Sequence, residues 1–143
     1  MKLPLIKVRI PLLAPVQLCV LFAGVFLAHT SFAKLSANTI DPVGIVSDNG
    51  RHVALTGPVT ATSGDRTEMQ VTVTQRSTGA VAEGIVFLTG TGQPSQWAVT
   101  AVTCGAAAFE PGPATVVALA LTSVKGQAND AQQWLVNVTL VSE

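Results

Sequence analysis

The stretch Met69-Gln70-Val71-Thr72-Val73-Thr74 decides the fold class. Apolar and polar residues alternate in it with a period of two, which is the pattern of a β-strand with one buried and one solvated face. Its valines and threonines are β-branched, which favours the extended backbone. The segment therefore predicts a strand that points Met69, Val71 and Val73 into a core.

The same alternation continues on both sides of this segment. Before it, one face of a strand is expected to carry Val53, Leu55, Val59 and Ala61, and the other face Thr56, Pro58, Thr60 and Thr62. Because proline cannot donate to a ladder, this strand is expected at a sheet edge or with a bulge at Gly57-Pro58. After it, strands are expected over Val81–Thr89, Trp97–Ala101, Ala114–Thr122 and Trp134–Val141.

Two of these later segments allow more than one interpretation. The unbroken apolar run Ile85–Leu88 predicts either a central strand covered on both sides or a strand near the rim of a sandwich. The polar stretch Lys125–Asp130 is predicted to be a loop, in which Asn129 or Asp130 caps one helical turn. That turn would extend through Gln133.

Turn residues separate the predicted strands at intervals of about 10 to 15 residues, and no long helix is expected. The predicted fold is all-β: an antiparallel β-sandwich of immunoglobulin-like or fibronectin-like topology with 6–8 strands, preceded by an N-terminal signal helix. A small closed barrel is the alternative. A parallel α/β sheet is disfavoured because the crossover helices have no room.

Residues 1–33 have the features of a secretory leader. Lys2, Lys7 and Arg9 precede the apolar run Ile10–Ala28, and Ser31-Phe32-Ala33 supplies small residues for cleavage before Lys34. Prolines, a glutamine and a glycine interrupt the run, which favours a cleaved leader over a retained membrane anchor. An exported, periplasmic or secreted chain is expected in either case, divided into a leader (1–33), a polar N-terminal segment (34–43) and one β domain (44–143).

Removing the leader changes the composition that bears on function. Three of the eight basic residues lie within it, so the mature chain carries five basic and eight acidic side chains, a net charge of −3. This balance gives no support for nucleic-acid binding or for docking on an anionic membrane. Cys104 becomes the only cysteine, which excludes an intramolecular disulfide. Its thiol is either buried and inert, which we expect, or able to pair between two chains.

The mature sequence lacks a recognisable catalytic arrangement. His52 and Cys104 lie in separate segments, and His52 is interpreted as a solvated residue that begins a strand. Carboxylate pairs are conceivable at Asp65 with Glu68 and at Asp41 with Asp48, but surface turns commonly carry such residues. The protein is therefore not expected to be an enzyme, and no catalytic residue is assigned.

Cofactor and metal sites are not predicted either. Zinc lacks ligands, the acidic loops are too sparse for calcium, and Gly90-Thr91-Gly92 lies between strands rather than before a helix. Trp97 and Trp134 suggest carbohydrate stacking, but their alternating apolar neighbours favour core positions. The threonine-rich outward faces are explained by strand propensity.

Three stretches resemble a type of small secreted bacterial protein that consists of a leader and a single immunoglobulin-like β-sandwich. They are His52–Gly57, Val71–Ala80 with the sequence Val71-Thr72-Val73-Thr74-Gln75-Arg76 followed by Thr78-Gly79-Ala80, and Phe109–Pro113. The resemblance implies a bacterial source and an extracytoplasmic location. It carries over no functional residue.

The sequence thus favours an exported, non-catalytic binding or structural protein whose partner is a protein or another component of the envelope. Its contacts are expected in the loops Gly90–Pro94, Ala106–Pro113 and Lys125–Asp130. Two alternatives stay open: a small hydrolase that uses loop carboxylates, and a carrier whose barrel lumen is lined by Phe87, Trp97 and Val117.

Overall fold

The computed structural model describes Leu35 and residues 39–143. The predicted leader, its signal helix and its cleavage site lie outside these residues. The described residues form seven strands and no helix: β1 Val43–Val46, β2 His52–Val59, β3 Arg66–Gln75, β4 Ala80–Thr89, β5 Ser95–Thr103, β6 Gly112–Val124 and β7 Gln127–Ser142. The all-β prediction is confirmed. None of the described residues belongs to a helix that is long and apolar enough to span a membrane.

The strands pair in the order β1-β2-β5-β4-β3-β6-β7, and β7 returns to β1, so the hydrogen-bonded ladder closes into a barrel. Every pair is antiparallel except β1 with β7, which is parallel. The closed ladder is the barrel alternative of the sequence analysis. Closure removes free sheet edges wherever the neighbouring strands pair along their length.

The period-two alternation is confirmed in β3 and β2. Met69, Val71 and Val73 are at most 2% exposed, and Val53, Leu55, Val59 and Ala61 are also buried. Pro58 lies opposite Gln96 of β5, while β1 pairs only with Val53 and Ala54 of β2. Pro58 therefore has a strand partner on the side of β5 but not on the side of β1, which is the edge position expected for a proline.

The centre of the core lies where Trp97 packs against Gly57. The two residues are opposite each other in the β2–β5 ladder, and Trp97 is 1% exposed. A Cβ atom at Gly57 would lie 2.1 Å from the carbonyl oxygen of Thr39 and 2.7 Å from the indole Nε1 of Trp97. Glycine at this position therefore allows the indole and the N-terminal segment to approach the same backbone.

The polar N-terminal segment, residues 34–43, contributes two side chains to the core. Leu35 and Ile40 are 2% and 4% exposed. The amide of Leu35 donates to Oδ2 of Asp130 at 3.1 Å, and Nε2 of Gln132 donates to the Leu35 carbonyl at 2.9 Å. Leu35 and Ile40 therefore belong to the core, although the segment is polar in composition.

Strand β4 is not covered on both sides. Beyond Ala82 and Glu83, which pair with β5, it pairs with β3 alone. Ile85 and Phe87, which lie on the outward side of the strand, are 56% and 54% exposed. The apolar run thus lies at the rim, and the interpretation of a fully covered central strand is wrong.

The predicted loop Lys125–Asp130 with its helical turn is also wrong. Lys125 and Gly126 have φ values of 49° and 81° and join Val124 directly to Gln127 of the next strand. Positive φ at both central residues matches the right-handed twist of a two-residue hairpin. Asn129 and Asp130 therefore lie within β7.

We expect Gly57→Ala to destabilise the fold, because the added methyl group must displace the Thr39 carbonyl or the Trp97 indole. The expected loss is about 2 kcal/mol or more in the free energy of unfolding, measured by urea titration. Gly105→Ala is the matched control, since a Cβ there meets nothing within 4 Å. Equal effects of the two substitutions would contradict the packing described.

Candidate interaction surface

The three predicted contact loops do not form one surface. Loop Gly90–Pro94 is held to the β2–β3 connection: Gly64 donates to the Gly90 carbonyl at 2.9 Å and Gly92 to the Ala61 carbonyl at 3.0 Å. The chain that follows β2 and the Lys125-Gly126 turn are at this end of the barrel. Loop Ala106–Pro113 is at the opposite end, beside the residues that precede β2.

Hydrogen bonds fix that second end of the barrel. The guanidinium of Arg51 donates to the Gly105 carbonyl at 2.7 Å, and the amide of Phe109 donates to the Gly50 carbonyl at 2.9 Å. Gln75 donates through Nε2 to the Glu110 carbonyl at 2.8 Å and accepts from the Glu110 amide at 2.9 Å. The predicted loops therefore divide between the two ends, and these bonds hold loop Ala106–Pro113 in place.

Cys104 is exposed, so the expectation that its thiol is buried is wrong. It follows the last residue of β5, and its Sγ is 3.9 Å from the Val102 carbonyl oxygen. Trp97, Val99 and Ala101 face inward, so a residue three positions after Ala101 falls on the outer side. His52 is exposed at the start of β2, as expected, opposite Val102.

The predicted carboxylate pairs do not converge. Asp65 is 6% exposed and faces inward, whereas Glu68 lies on the outward side of β3 and accepts a bond from Nε2 of Gln70 at 2.8 Å. Asp41 and Asp48 flank opposite ends of β1, and Asp41 accepts a bond from the Thr56 hydroxyl. Within the described part of the chain, no group of three or more His, Cys, Asp or Glu residues is placed to hold a metal ion.

The residues proposed to line a ligand lumen point in different directions. Trp97 is buried, as the core interpretation predicted, and Trp134 is half-buried against the core. Phe87 is exposed on the outside of the barrel, and Val117 also lies on the outward side of its strand. The threonine-rich faces likewise divide, because β2 and β3 are not neighbours in the ladder.

The outward side of the four consecutive strands β4, β3, β6 and β7, which we call the four-strand face, carries an unusual number of large apolar side chains. Five of them, on β4, β6 and the middle of β7, are at least 39% exposed: Ile85, Phe87, Leu119, Leu121 and Leu135. Leu135 is the most exposed of the five, at 70%. Large exposed apolar patches on soluble proteins mark interaction sites more often than chance exposure.

Strand register arranges these side chains in rows that cross the sheet, with a polar residue of β3 in the middle of each row. Gln70 of β3 lies opposite both Ile85 of β4 and Leu119 of β6, which forms one row across the sheet. In the adjacent outward row, Glu68 lies opposite Phe87 and Leu121 in the same way. Neighbouring strands are about 4.8 Å apart, so side chains in a row touch.

Leu135 extends the face onto β7. It lies opposite Val117, which in turn lies opposite Thr72 of β3, and Thr72 lies opposite Glu83. A groove of about 260 Å³ runs between β3 and β4 and is lined by Gln70, Thr72, Glu83 and Ile85 among others. The face is therefore not a smooth apolar plane: the polar outward residues of β3 separate the apolar side chains of β4 from those of β6 and β7.

Polar side chains at one end of the face are held in place by contacts with their neighbours. The guanidinium carbon of Arg66 lies 4.7 Å from the centre of the Phe87 ring, which is a cation–π contact. One row away, the Gln70 amide is bonded to Glu68. Both contacts restrict side chains that would otherwise sample many rotamers, so the face is partly preorganised for binding.

Comparisons with known proteins do not identify a family. No protein-family model matches the chain, and no curated protein matches it. Among the solved structures that match is one described as "Structure of WR4, a C.elegans MSP family member", at 17% sequence identity and a TM-score of 0.39. The match covers 76% of this chain and 99% of that one. A likeness at this level establishes neither family membership nor function.

We expect the Cys104 thiol to react in the native protein, because it is exposed at the end of β5. A maleimide reagent should modify one thiol per chain of the exported form without denaturant, at a rate close to that of the urea-unfolded chain. Mass spectrometry reads out both the extent and the site. Protection that is lost only on unfolding would contradict the described position of this side chain.

Proposed function

We propose that this protein is a non-catalytic binding or structural module of the cell envelope or extracellular space, and that the four-strand face is its contact surface. The observation that carries the proposal is the set of exposed apolar side chains on β4, β6 and β7, which lie on both sides of the polar outward residues of β3. Covering a large apolar side chain removes it from water, and a full burial is worth about 1.5–3 kcal/mol. A partner that covers this face buries several such side chains, and each of them contributes to the free energy of binding.

The proposed location rests on the sequence. A basic start, an apolar run and a small-residue exit precede the β domain, which is the order found in secretory leaders. A fold that needs no disulfide is compatible with export, because the packed core supplies its stability. The proposal is therefore a secreted or periplasmic protein with a cleaved leader.

We also propose that the barrel is a flattened, immunoglobulin-like sandwich. Long ladders join β4 to β3, β3 to β6 and β6 to β7, and another joins β2 to β5. By contrast, only two residue pairs join β4 to β5, and two join β1 to β2. Short ladders of this kind support corners between two sheets, and the pairings β2–β5 and β3–β6 follow a Greek-key order.

The leader proposal is tested by the N-terminus of the exported protein. We expect mass spectrometry of the chain recovered outside the cytoplasm to give a first residue of Lys34. A chain that keeps residues 1–33 and sediments with membranes would support the anchor alternative and contradict cleavage.

Site-specific photo-crosslinking tests the contact surface. A photoreactive residue placed at Phe87 should form adducts in intact producing cells, because this position lies within the four-strand face. The same residue at Thr100, which is exposed on the outward side of β5, is the control and should give few adducts. Equal yields at both positions, or none at Phe87, would contradict the proposed surface.

A further inference from the structure

We propose that the occupant of the four-strand face is a second copy of this chain, docked across a two-fold axis. This inference rests on the proposed function, since it names the partner for the same surface. Each outward residue of β3 lies in a row with one residue of β4 and one of β6, and the order of these rows along β3 determines how two copies can fit together. A two-fold contact requires that a surface complement itself.

The axis that achieves this lies parallel to the sheet, crosses the strands and passes between the Glu68 and Gln70 rows. Rotation about it places each strand antiparallel over its own equivalent. The row of Phe87, Glu68 and Leu121 then faces the row of Ile85, Gln70 and Leu119 in the partner copy. Phe87 packs over Ile85, and Leu121 packs over Leu119, at the spacing of about 10 Å between stacked sheets.

The polar groups match under the same rotation. The Glu68 carboxylate faces the Gln70 amide of the partner copy, and that amide has a second N–H beyond the one bonded to its own Glu68. Arg66 faces the row of the partner that contains Thr72 and Glu83. Its guanidinium thus comes within reach of a carboxylate of opposite charge, twice per dimer.

The alternative axis, parallel to the strands and centred on β3, is disfavoured by charge. It would place Arg66 over Arg66 and Glu68 over Glu68 of the partner copy, and like charges in direct opposition are repulsive. The crossing axis separates these residues from their own equivalents. Charge complementarity therefore favours the crossing axis over this one, and it supports a second copy as the occupant.

The area of the face limits how much surface a dimer can bury. Four strands span about 19 Å, and the rows of β3 that overlap under this rotation, from Arg66 to Thr72, span about 20 Å, at the usual strand spacing and rise. Each copy thus contributes about 400 Å², and a dimer about 800 Å², which is the size of small, transient interfaces. We therefore expect a weak, reversible dimer that dissociates on dilution.

Sedimentation velocity of the full chain, purified in the form that cells export, measures this association. A reductant must be present, because the exposed Cys104 would otherwise link two chains covalently. The expected result is a concentration-dependent shift from monomer to dimer without higher species. Phe87→Ser should raise the Kd at least tenfold, while Thr100→Ser on the other outward surface should leave it unchanged.

A charge exchange isolates the two-fold geometry. Arg66→Glu alone and Glu83→Arg alone should each weaken self-association at least tenfold, because each variant places like charges together at both equivalent contacts. An equimolar mixture of the two variants should form a dimer again, since both contacts then join opposite charges. Restoration by mixing cannot arise from unfolded protein, so it separates interface effects from folding defects.

The outcomes distinguish this inference from the proposed function. A monomer at all concentrations, with adducts to a different protein from the photoreactive residue at Phe87, overturns the second copy and leaves the contact surface supported. A monomer that also gives no adducts overturns both. A dimer that neither charge variant weakens, or that mixing does not restore, overturns the proposed axis.

Discussion

The register of β3 between β4 and β6 is the constraint on which the rest of the molecule depends. It pairs with both neighbours along almost its whole length, so one alignment fixes the outward and inward rows of three strands. Met69, Val71 and Val73 enter the core because of it, and Gln70 is placed between Ile85 and Leu119 on the outside. A slip of one residue would exchange the two faces, expose the core residues and bury polar groups. Folding and the composition of the four-strand face are therefore set by the same hydrogen bonds.

Much of the fold could be predicted from the sequence because the alternation of apolar and polar residues in a half-buried strand shows which side chains face the core. The alternation in β3 and β2 predicted which side chains are buried, and Pro58 indicated an edge. The exposure of Cys104 was also available from the sequence, since the parity of β5 continues from Ala101 to an outward position. Its burial was expected from the general preference of free cysteine, and strand parity outweighed that preference.

The contact surface could not be predicted as a surface, because it depends on which strands become neighbours. The sequence signal that pointed to it was apolar residues on both sides of a strand: in β6, Ala118 and Ala120 face inward while Leu119 and Leu121 face outward. Such a pattern fits a strand covered on both faces equally well. Only its exposure in the folded chain shows that nothing in the described part covers Leu119. Lys125 gave no indication of the two-residue hairpin, because lysine is uncommon at positive φ. Gly126 alone is a residue typical of such a turn.

The central claim is that β3 presents Gln70 to solvent and Val71 to the core. Cysteine labelling of Gln70→Cys and Val71→Cys, each in a Cys104→Ser background, tests it most directly when measured well below the concentration at which the chains associate. The account predicts rapid modification at position 70 and protection at position 71 until the protein unfolds. Rapid modification at position 71 in the folded protein, with protection at position 70, would contradict it.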